Sequence, residues 1–301
     1  MLIHFLAIGG VRRFTEFYHA EGAMRSPISF LLSILCSSLL ATAPAGAQAG
    51  APCDLAEIVD QAFLNIYGQR YAQTLEMVTL SSLGREQNRR LVQVVRSEQA
   101  EQNRAMIRFL EPPSLAGTSI LFFADDEAVA TVFVHLPALS VTRQISGANT
   151  DDAFFGTALT FSDFYPLRAD DFDIEREASI DTSSCSGIRL VDRTPSPYDR
   201  IDICVSLDGA VVHRMEFFEK GALRKRLLPD LASNRRIGDR TLPFSFEVED
   251  LASGVRTQVA TTFYEEAPEI PRALFTASNL DRGSAKGDLR MLSRAREDGH
   301  R

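Results

Sequence analysis

Residues able to do chemistry are few in this chain, and their spacing forms no recognisable active site. His135 and His213 are the two histidines between residues 50 and 280, and they fall in separate predicted strands. Neither has a Cys or a carboxylate at metal-ligand spacing, and the chain lacks G-x-S-x-G, P-loop, H-E-x-x-H and C-x-x-C motifs. We therefore predict no catalytic residue, no metal site and no cofactor, and interpret the protein as a non-enzyme.

Two charged runs admit a binding interpretation. Asp125-Asp126-Glu127 falls between two apolar strands, so we predict a solvated hairpin tip rather than a metal cluster. Arg224-Lys225-Arg226 is basic in an acidic protein. We predict a solvated strand face there, with a docking contact as the alternative.

The cysteines favour a disulfide. Cys185 and Cys204 lie almost symmetrically about the turn residues 194–199. Strand alternation places both sulfurs on the polar face of neighbouring strands, where a cross-strand bridge can form. We predict a Cys185–Cys204 disulfide, which export would permit. Cys53 is then left as an unreactive thiol near the mature N-terminus.

One helix and a long series of strands would position these residues. Asp54 can cap the helix, Glu57 completes a capping box, and Gly68 ends it. Alternating apolar residues and turn pairs such as Asp208-Gly209 predict antiparallel strands joined by hairpins, which makes the fold class mainly β with some α. A short helix is also predicted near 162–167. The predicted strands are 71–80, 90–96, 104–110, 118–124, 128–136, 139–145, 172–180, 185–193, 200–207, 211–219, 222–228, 243–249 and 254–264.

Aromatic side chains are the strongest indication of function. The chain has 20 Phe and no Trp, and many Phe fall in turn-rich apolar segments at 109–123, 132–146 and 152–164. One small helix cannot cover so much apolar area, so we predict a curved sheet with a partly unfilled inner face that can hold an apolar ligand. For any single Phe a core position is the alternative. The candidate cavity residues are Phe109, Leu121, Phe123, Phe133, Leu136, Phe154, Phe155, Phe161, Phe244 and Phe246.

The first 49 residues have the pattern of a secretory signal. Met24 and Arg25 precede an apolar stretch over 28–40, and Ala47-Gln48-Ala49 fits an A-x-A cleavage site. We predict a start at Met24, cleavage after Ala49 and export by the Sec pathway.

The remaining chain is predicted to contain one domain and a tail. Cleavage removes three Arg and two Glu, so the net charge of −8 becomes −9. So acidic a chain is a poor candidate for binding nucleic acid or an anionic membrane surface. We predict a β domain over 50–280 and a polar, disordered tail over 281–301, which lacks a β pattern.

The apolar segments resemble those of the LolA-like outer-membrane lipoprotein-sorting family, in its broad bacterial branch associated with lipid exporters. The resemblance covers about 54–277. Its motif positions are Pro112 and Gly117 in the first segment, Pro137 and Arg143 in the second, and Gly156 and Asp163 in the third. Departures from the family pattern are Phe133 for Trp, His135 for Tyr, Gln144 for Arg and Ala158 for Asp.

The resemblance implies a half-open antiparallel β-barrel of about 11–13 strands, with an N-terminal helix, a short helical plug and an apolar cavity. It also implies a periplasmic carrier that takes lipid or lipoprotein acyl chains from an inner-membrane exporter to the outer membrane. Its partners would be that cargo and that exporter, with transient membrane contact and no nucleic acid. The alternative is an envelope sensor or adaptor of the same fold that binds a protein partner.

Overall fold

An antiparallel sheet of 13 strands dominates the computed structural model. The structure describes residues 54–99, 102–125, 131–145, 150–193, 196–266 and 269–299. The predicted signal peptide with its cleavage site, Cys53, and residues 126 and 127 of the acidic hairpin tip lie outside the described residues. No helix in the described part of the chain is long and apolar enough to span a membrane.

Most strands pair with the next strand along the chain as antiparallel hairpins. In chain order they are β1 (Arg70–Leu80), β2 (Glu86–Gln99), β3 (Gln102–Glu111), β4 (Ser119–Asp125), β5 (Thr131–Leu136), β6 (Val141–Ile145), β7 (Phe172–Arg176), β8 (Ser186–Asp192), β9 (Arg200–Val205), β10 (Val212–Glu219), β11 (Ala222–Pro229), β12 (Asn234–Ile237), β13 (Arg240–Pro243), β14 (Ser245–Asp250) and β15 (Val255–Glu266). The large sheet has the order β6-β5-β4-β3-β2-β1-β15-β14-β11-β10-β9-β8-β7, while β12 and β13 form a separate hairpin. Its edges, β6 and β7, do not pair with each other over the described residues, so the sheet is an open barrel, as predicted.

The helices are short and lie beside the sheet. They are α1 (Leu55–Tyr67), α2 (Ala277–Arg282) and α3 (Ala285–Gly299), with 3-10 turns at Pro137–Leu139, Phe154–Gly156, Ser162–Phe164, Ala169–Asp171, Ala178–Ile180, Leu231–Ser233 and Arg272–Phe275. The start of α1 is capped as predicted, because Asp54 Oδ1 accepts a hydrogen bond from the Ala56 N–H at 3.0 Å. Gly68 ends the helix with φ +61°, a conformation that suits glycine.

Each of the thirteen predicted strands overlaps a strand of the large sheet. The β12–β13 hairpin was not predicted. Its strands have four residues each, and the central residues Arg235, Arg236 and Asp239 give no apolar alternation. The predicted disulfide is present: Cys185 precedes β8, Cys204 lies on β9, and their Cα atoms are 5.4 Å apart.

Two apolar clusters occupy one side of the sheet, here called the inner face. In one half, strands β1 to β5 pack against residues 150–171, the connector between β6 and β7, through side chains such as Phe154 and Phe161. In the other half, strands β8 to β10 pack against α1 through side chains such as Phe63 and Ile203. Leu227 of β11 packs against both clusters, so the two halves meet near this residue.

The opposite side of the sheet, the outer face, is covered over strands β1 to β5 by the C-terminal segment. Ile270, Leu274, Leu280 and Leu292 pack against alternate residues of β2, β3 and β4. The prediction of a disordered tail over 281–301 is therefore wrong for α3, which is helical. The reason is a long-range contact: Asp288, fully buried, pairs with Arg108 of β3 at 2.6 Å. No local sequence pattern encodes that ion pair.

Candidate ligand cavity

A cavity of about 110 Å³ lies on the inner face where the two clusters meet. The end of α1, strands β1, β2, β10, β11, β14 and β15, the connector and residues 242–244 contribute to its lining. Its apolar wall includes Leu75, Met77, Leu159, Leu227, Phe246 and Val248. The five on strands point inward because inward and outward residues alternate along each strand, whereas Leu159 reaches the cavity from the connector.

Aromatic rings form one end of this wall. Tyr71 and Tyr264 stack with centroids 5.6 Å apart, and Phe244 lies 6.0 Å from Tyr264. Arg240 donates to the Tyr264 hydroxyl at 3.1 Å, which anchors the ring from outside the cavity lining. This end therefore offers a large apolar surface at low conformational cost, since rigid rings have few torsions to restrict.

Lys225 brings a charge to the cavity, but that charge is neutralised. Its Nζ donates to Asp163 Oδ2 at 2.7 Å and Oδ1 at 2.8 Å, and the lysine is 4% exposed. Burial lowers the pKa of Lys225, but the Asp163 carboxylate and the Tyr198 hydroxyl raise it more, so the net shift is upward. The pair joins the connector to β11.

The prediction of a solvated face for residues 224–226 is therefore wrong for Lys225. Alternation separates it from its two neighbours. Arg224 pairs with Asp250, and Arg226 donates to Glu216 at 2.9 Å, both part-exposed, whereas Lys225 points inward. The sequence run shows three equal cations, and strand geometry divides them between the two faces.

Arg96 of β2 is a second buried cation on the cavity wall, and it is 3% exposed. Nη1 donates to Asn103 Oδ1 at 2.8 Å, and Nη2 donates to the Phe164 carbonyl of the connector. Nε is buried without a hydrogen-bond partner among the described residues. Arg96 thus has an amide and a carbonyl as acceptors where Lys225 has a carboxylate.

The charge of Arg96 affects the pKa values of two nearby tyrosine hydroxyls. Burial raises the pKa of Tyr67, the nearby Asp163 raises it further, and Arg96 opposes both. Burial likewise raises the pKa of Tyr165, again opposed by Arg96. The Tyr165 hydroxyl is also buried without a partner in the described part of the chain. The region around Arg96 is therefore polar and, among the described residues, incompletely hydrogen-bonded.

The predicted cavity residues fall into three places. Phe244 and Phe246 line the cavity, as does the motif residue Asp163. Phe109, Phe154, Phe155, Phe161 and Leu136 pack in the adjacent inner cluster beneath the connector. Leu121, Phe123 and Phe133 lie on the outer face with the C-terminal helices, on the other side of the sheet from this cavity. Contact of any of these residues with acyl chains stays a prediction.

Except for Arg143, which lies on β6, the other motif residues shape turns near the connector or the sheet edge. Gly117 has φ +83°, and a Cβ there would lie 3.4 Å from Pro137 Cγ, so two separate motif segments meet at this point. Pro112 starts the turn, since its carbonyl accepts from Leu115 and Ala116 at 2.9 Å. Gly156, with φ +76°, closes the Phe154–Gly156 turn of the connector, and Arg143 is exposed on β6.

Sequence analysis missed Arg96, Tyr67 and Tyr264 as wall residues. For Arg96 a signal existed: it continues the inward series of Val92 and Val94, and an Arg on an apolar strand face is unusual. No such signal marks Tyr67 or Tyr264. They lie in α1 and β15, and only the folded chain brings these distant segments to the same cavity.

Comparison with known proteins agrees with this architecture. A family model whose description reads "-like: Uncharacterized protein" matches residues 101–282. The outer-membrane lipoprotein-sorting protein domain from Vibrio parahaemolyticus is similar in structure, with a TM-score of 0.67, 18% identity, and coverage of 75% of this chain and 97% of the other. A DUF1329 family protein from Desulfovibrio piger has a TM-score of 0.67, 21% identity, and coverage of 75% and 96%.

A LolA superfamily protein from Nitrosomonas europaea is also similar, with a TM-score of 0.58, 18% identity, and coverage of 74% of this chain and 97% of that one. The fold is therefore LolA-like, which confirms the resemblance drawn from the sequence. The chain belongs to the family whose model matches residues 101–282, because that match covers more than half of it. No curated protein matches the chain.

Proposed function

We propose that the protein is an exported periplasmic carrier that binds lipid or lipoprotein acyl chains in the cavity. It receives them from an inner-membrane exporter and delivers them toward the outer membrane. The observation that supports this most directly is the apolar cavity, walled by aromatic and aliphatic side chains, within a LolA-like open barrel. The signal-like segment before residue 50 supports export.

The physical case rests on the cost of carrying a fatty chain through water. Burial contributes about 0.8 kcal/mol per CH₂, so a long chain needs a sheltered path. A cavity of about 110 Å³ is below the roughly 300 Å³ of ordinary ligand pockets. Cargo must therefore widen it. The connector is the element best suited to move, because its link to this wall consists of side-chain contacts such as Lys225–Asp163 rather than a strand ladder.

The proposal is tested first by native mass spectrometry of the protein, from Gly50 onward, purified from its own periplasm. A co-purifying lipid or acylated peptide is expected and would identify the cargo class. A clean apo mass, with no uptake of added lipid, would overturn the carrier function.

A pair of neighbouring threonines allows a matched test of the site. Thr261 lines the cavity, whereas Thr262 is exposed beside it on β15. Thr261→Trp should fill the cavity and weaken acyl-chain binding by at least about tenfold, while Thr262→Trp should leave binding unchanged. Because the chain has no other Trp, each indole also serves as a fluorescent reporter. Equal binding by both variants would place the acyl site elsewhere.

One observation favours the adaptor as a second candidate. Lys286, Arg290 and Arg294 are exposed at four-residue intervals, so they form a basic row along α3. Deleting the tail cannot test this row, because it would also remove the buried Asp288. The triple substitution Lys286→Gln, Arg290→Gln and Arg294→Gln keeps the helix. Under the adaptor function it abolishes binding of a protein partner, and under the carrier function acyl binding is unchanged.

A further inference from the structure

Arg96 is an unusual residue in the wall of an apolar cavity, because no carboxylate in the described part of the chain pairs with its charge. A guanidinium has five N–H donors, and two hydrogen bonds to the rest of the described chain are present, to Asn103 and to the Phe164 carbonyl. Nε is fully buried and unpartnered. The other cation of the described lining, Lys225, has its charge matched by Asp163. The described wall thus carries one uncompensated positive charge.

Such a charge is costly in the ligand-free protein. A buried ion without a counter-ion loses its hydration and recovers only part of that loss from hydrogen bonds to neutral groups such as Asn103 and the Phe164 carbonyl. An anion that enters the cavity would recover that loss, and it would do so through charge-assisted hydrogen bonds at about 2.7–2.9 Å. Arginine suits carboxylates and phosphates in particular, since its planar donors match their oxygens.

The aliphatic part of the wall specifies the remainder of the ligand. Leu75, Met77, Leu227 and Val248 line the same cavity and offer no hydrogen-bonding side chain. A ligand that satisfies both parts has an anionic group at one end and an aliphatic chain at the other.

We propose that the cavity binds an anionic amphiphile, with a carboxylate or phosphate on Arg96 and the acyl chain along the Leu75–Met77–Leu227–Val248 wall. This rests on the proposed function, since it assumes that the cavity takes acyl chains, and it goes further by naming the head group. A neutral acyl ester or alcohol would bind the wall and leave Arg96 unpaired.

The head-group preference is measured on the wild-type protein without any substitution. Dodecanoic acid, dodecyl phosphate and dodecanol share one chain length, and each is used to displace the neutral fluorophore N-phenyl-1-naphthylamine at neutral pH. We expect at least one anion to displace the fluorophore at about tenfold lower concentration than the alcohol. The two anions distinguish a carboxylate site from a phosphate site.

The possible failures separate the two proposals. Displacement by all three ligands at the same concentration would overturn the anionic site and leave the acyl carrier standing. If neither the fluorophore nor any of the three ligands bound, both proposals would fall.

A pair of arginines on one strand supplies the matched variants. Arg90 also lies on β2, is 5% exposed, and donates to a connector carbonyl, Phe155, at 2.6 Å, but it does not line the cavity. Arg96→Met should remove the preference for the anion while dodecanol binds as before, and Arg90→Met should retain it. Retention of the preference in a folded Arg96→Met protein would overturn the assignment. If Arg96→Met does not fold, the wild-type comparison decides.

Discussion

Two buried arginines on adjacent strands, one on each face of the sheet, have very different surroundings. Arg96 on the inner face and Arg108 on the outer face are both 3% exposed. Arg108 donates to Asp288 Oδ2, Ser119 Oγ and the Asn279 carbonyl, each at 2.6 Å. Arg96 has an amide oxygen and one carbonyl, with Nε unpartnered.

The difference distinguishes a structural ion pair from a buried charge that has no counter-ion among the described residues. On the outer face the protein supplies its own counter-ion, Asp288, from a helix 180 residues further along the chain. On the inner face no described segment plays that part, and the arginine borders a cavity instead. Burial alone therefore does not indicate what a charged residue does. The number and charge of its partners do.

The largest expected effect comes from removing the counter-ion of Arg108 on the outer face. Asp288→Asn keeps the shape of the outer-face contact and removes the counter-charge, which leaves Arg108 buried and unpaired. We expect a loss of about 3 kcal/mol or more in the free energy of unfolding, measured by urea denaturation. Asp281→Asn, at an exposed carboxylate near the same helices, should change it by less than about 0.5 kcal/mol. Equal effects would remove the distinction between the two arginines.

The converse substitution supplies a counter-ion to Arg96 on the inner face. Asn103→Asp gives Arg96 a carboxylate at the position that now holds the amide oxygen, so Arg96 would resemble Arg108. Dodecanoic acid and dodecyl phosphate should then bind about tenfold more weakly, while dodecanol binds unchanged, since a resident anion competes only with ligand anions. Unchanged anion binding in this variant would contradict a role for Arg96 in recognition.

The smallest expected effect is a pH dependence confined to the inner face. Burial raises the pKa values of Tyr67 and Tyr165 above the unfolded value of about 10. Their contribution to stability is fully present below that unfolded value and is lost as the pH rises toward the folded pKa.

The free energy of unfolding should therefore fall between pH 9 and pH 11, by less than about 1 kcal/mol per phenol at pH 10. Lys225, whose folded pKa is also raised, contributes in the same direction. Urea denaturation across this range measures the slope, and Tyr67→Phe should flatten it. A slope that is identical in wild type and Tyr67→Phe would show that the phenol does not titrate with unfolding.

Much of the fold could be predicted from local sequence. Period-two alternation located the strands of the large sheet, the Asp54 cap and Gly68 located α1, and turn symmetry pointed to the Cys185–Cys204 disulfide. These signals are local, since each depends on residues that are neighbours along one strand, helix or hairpin. The same property explains why the β12–β13 hairpin was missed, because its four-residue strands are too short and too polar to alternate visibly.

The kind of site, an apolar cavity, was predictable from the sequence, but the residues that line it were not. Apolar segments indicated a cavity, yet Phe123 and Phe133 lie on the outer face under the C-terminal segment, while Tyr264 and Arg96 lie in the wall. Alternation shows which residues share a face, but it does not show which face will be covered by which distant segment.

The sequence by itself determined the strand pattern, the opening helix, the disulfide and the LolA-like character of the chain. The tertiary structure alone decided that Lys225 points inward to Asp163 and that Asp288 forms an ion pair with Arg108. It also decided that Arg96 lies beside a cavity with its Nε unpartnered among the described residues. The physical reason is that the environment of a buried charge depends on partners brought from distant parts of the chain. Those partners are chosen by packing, which no single segment of sequence specifies.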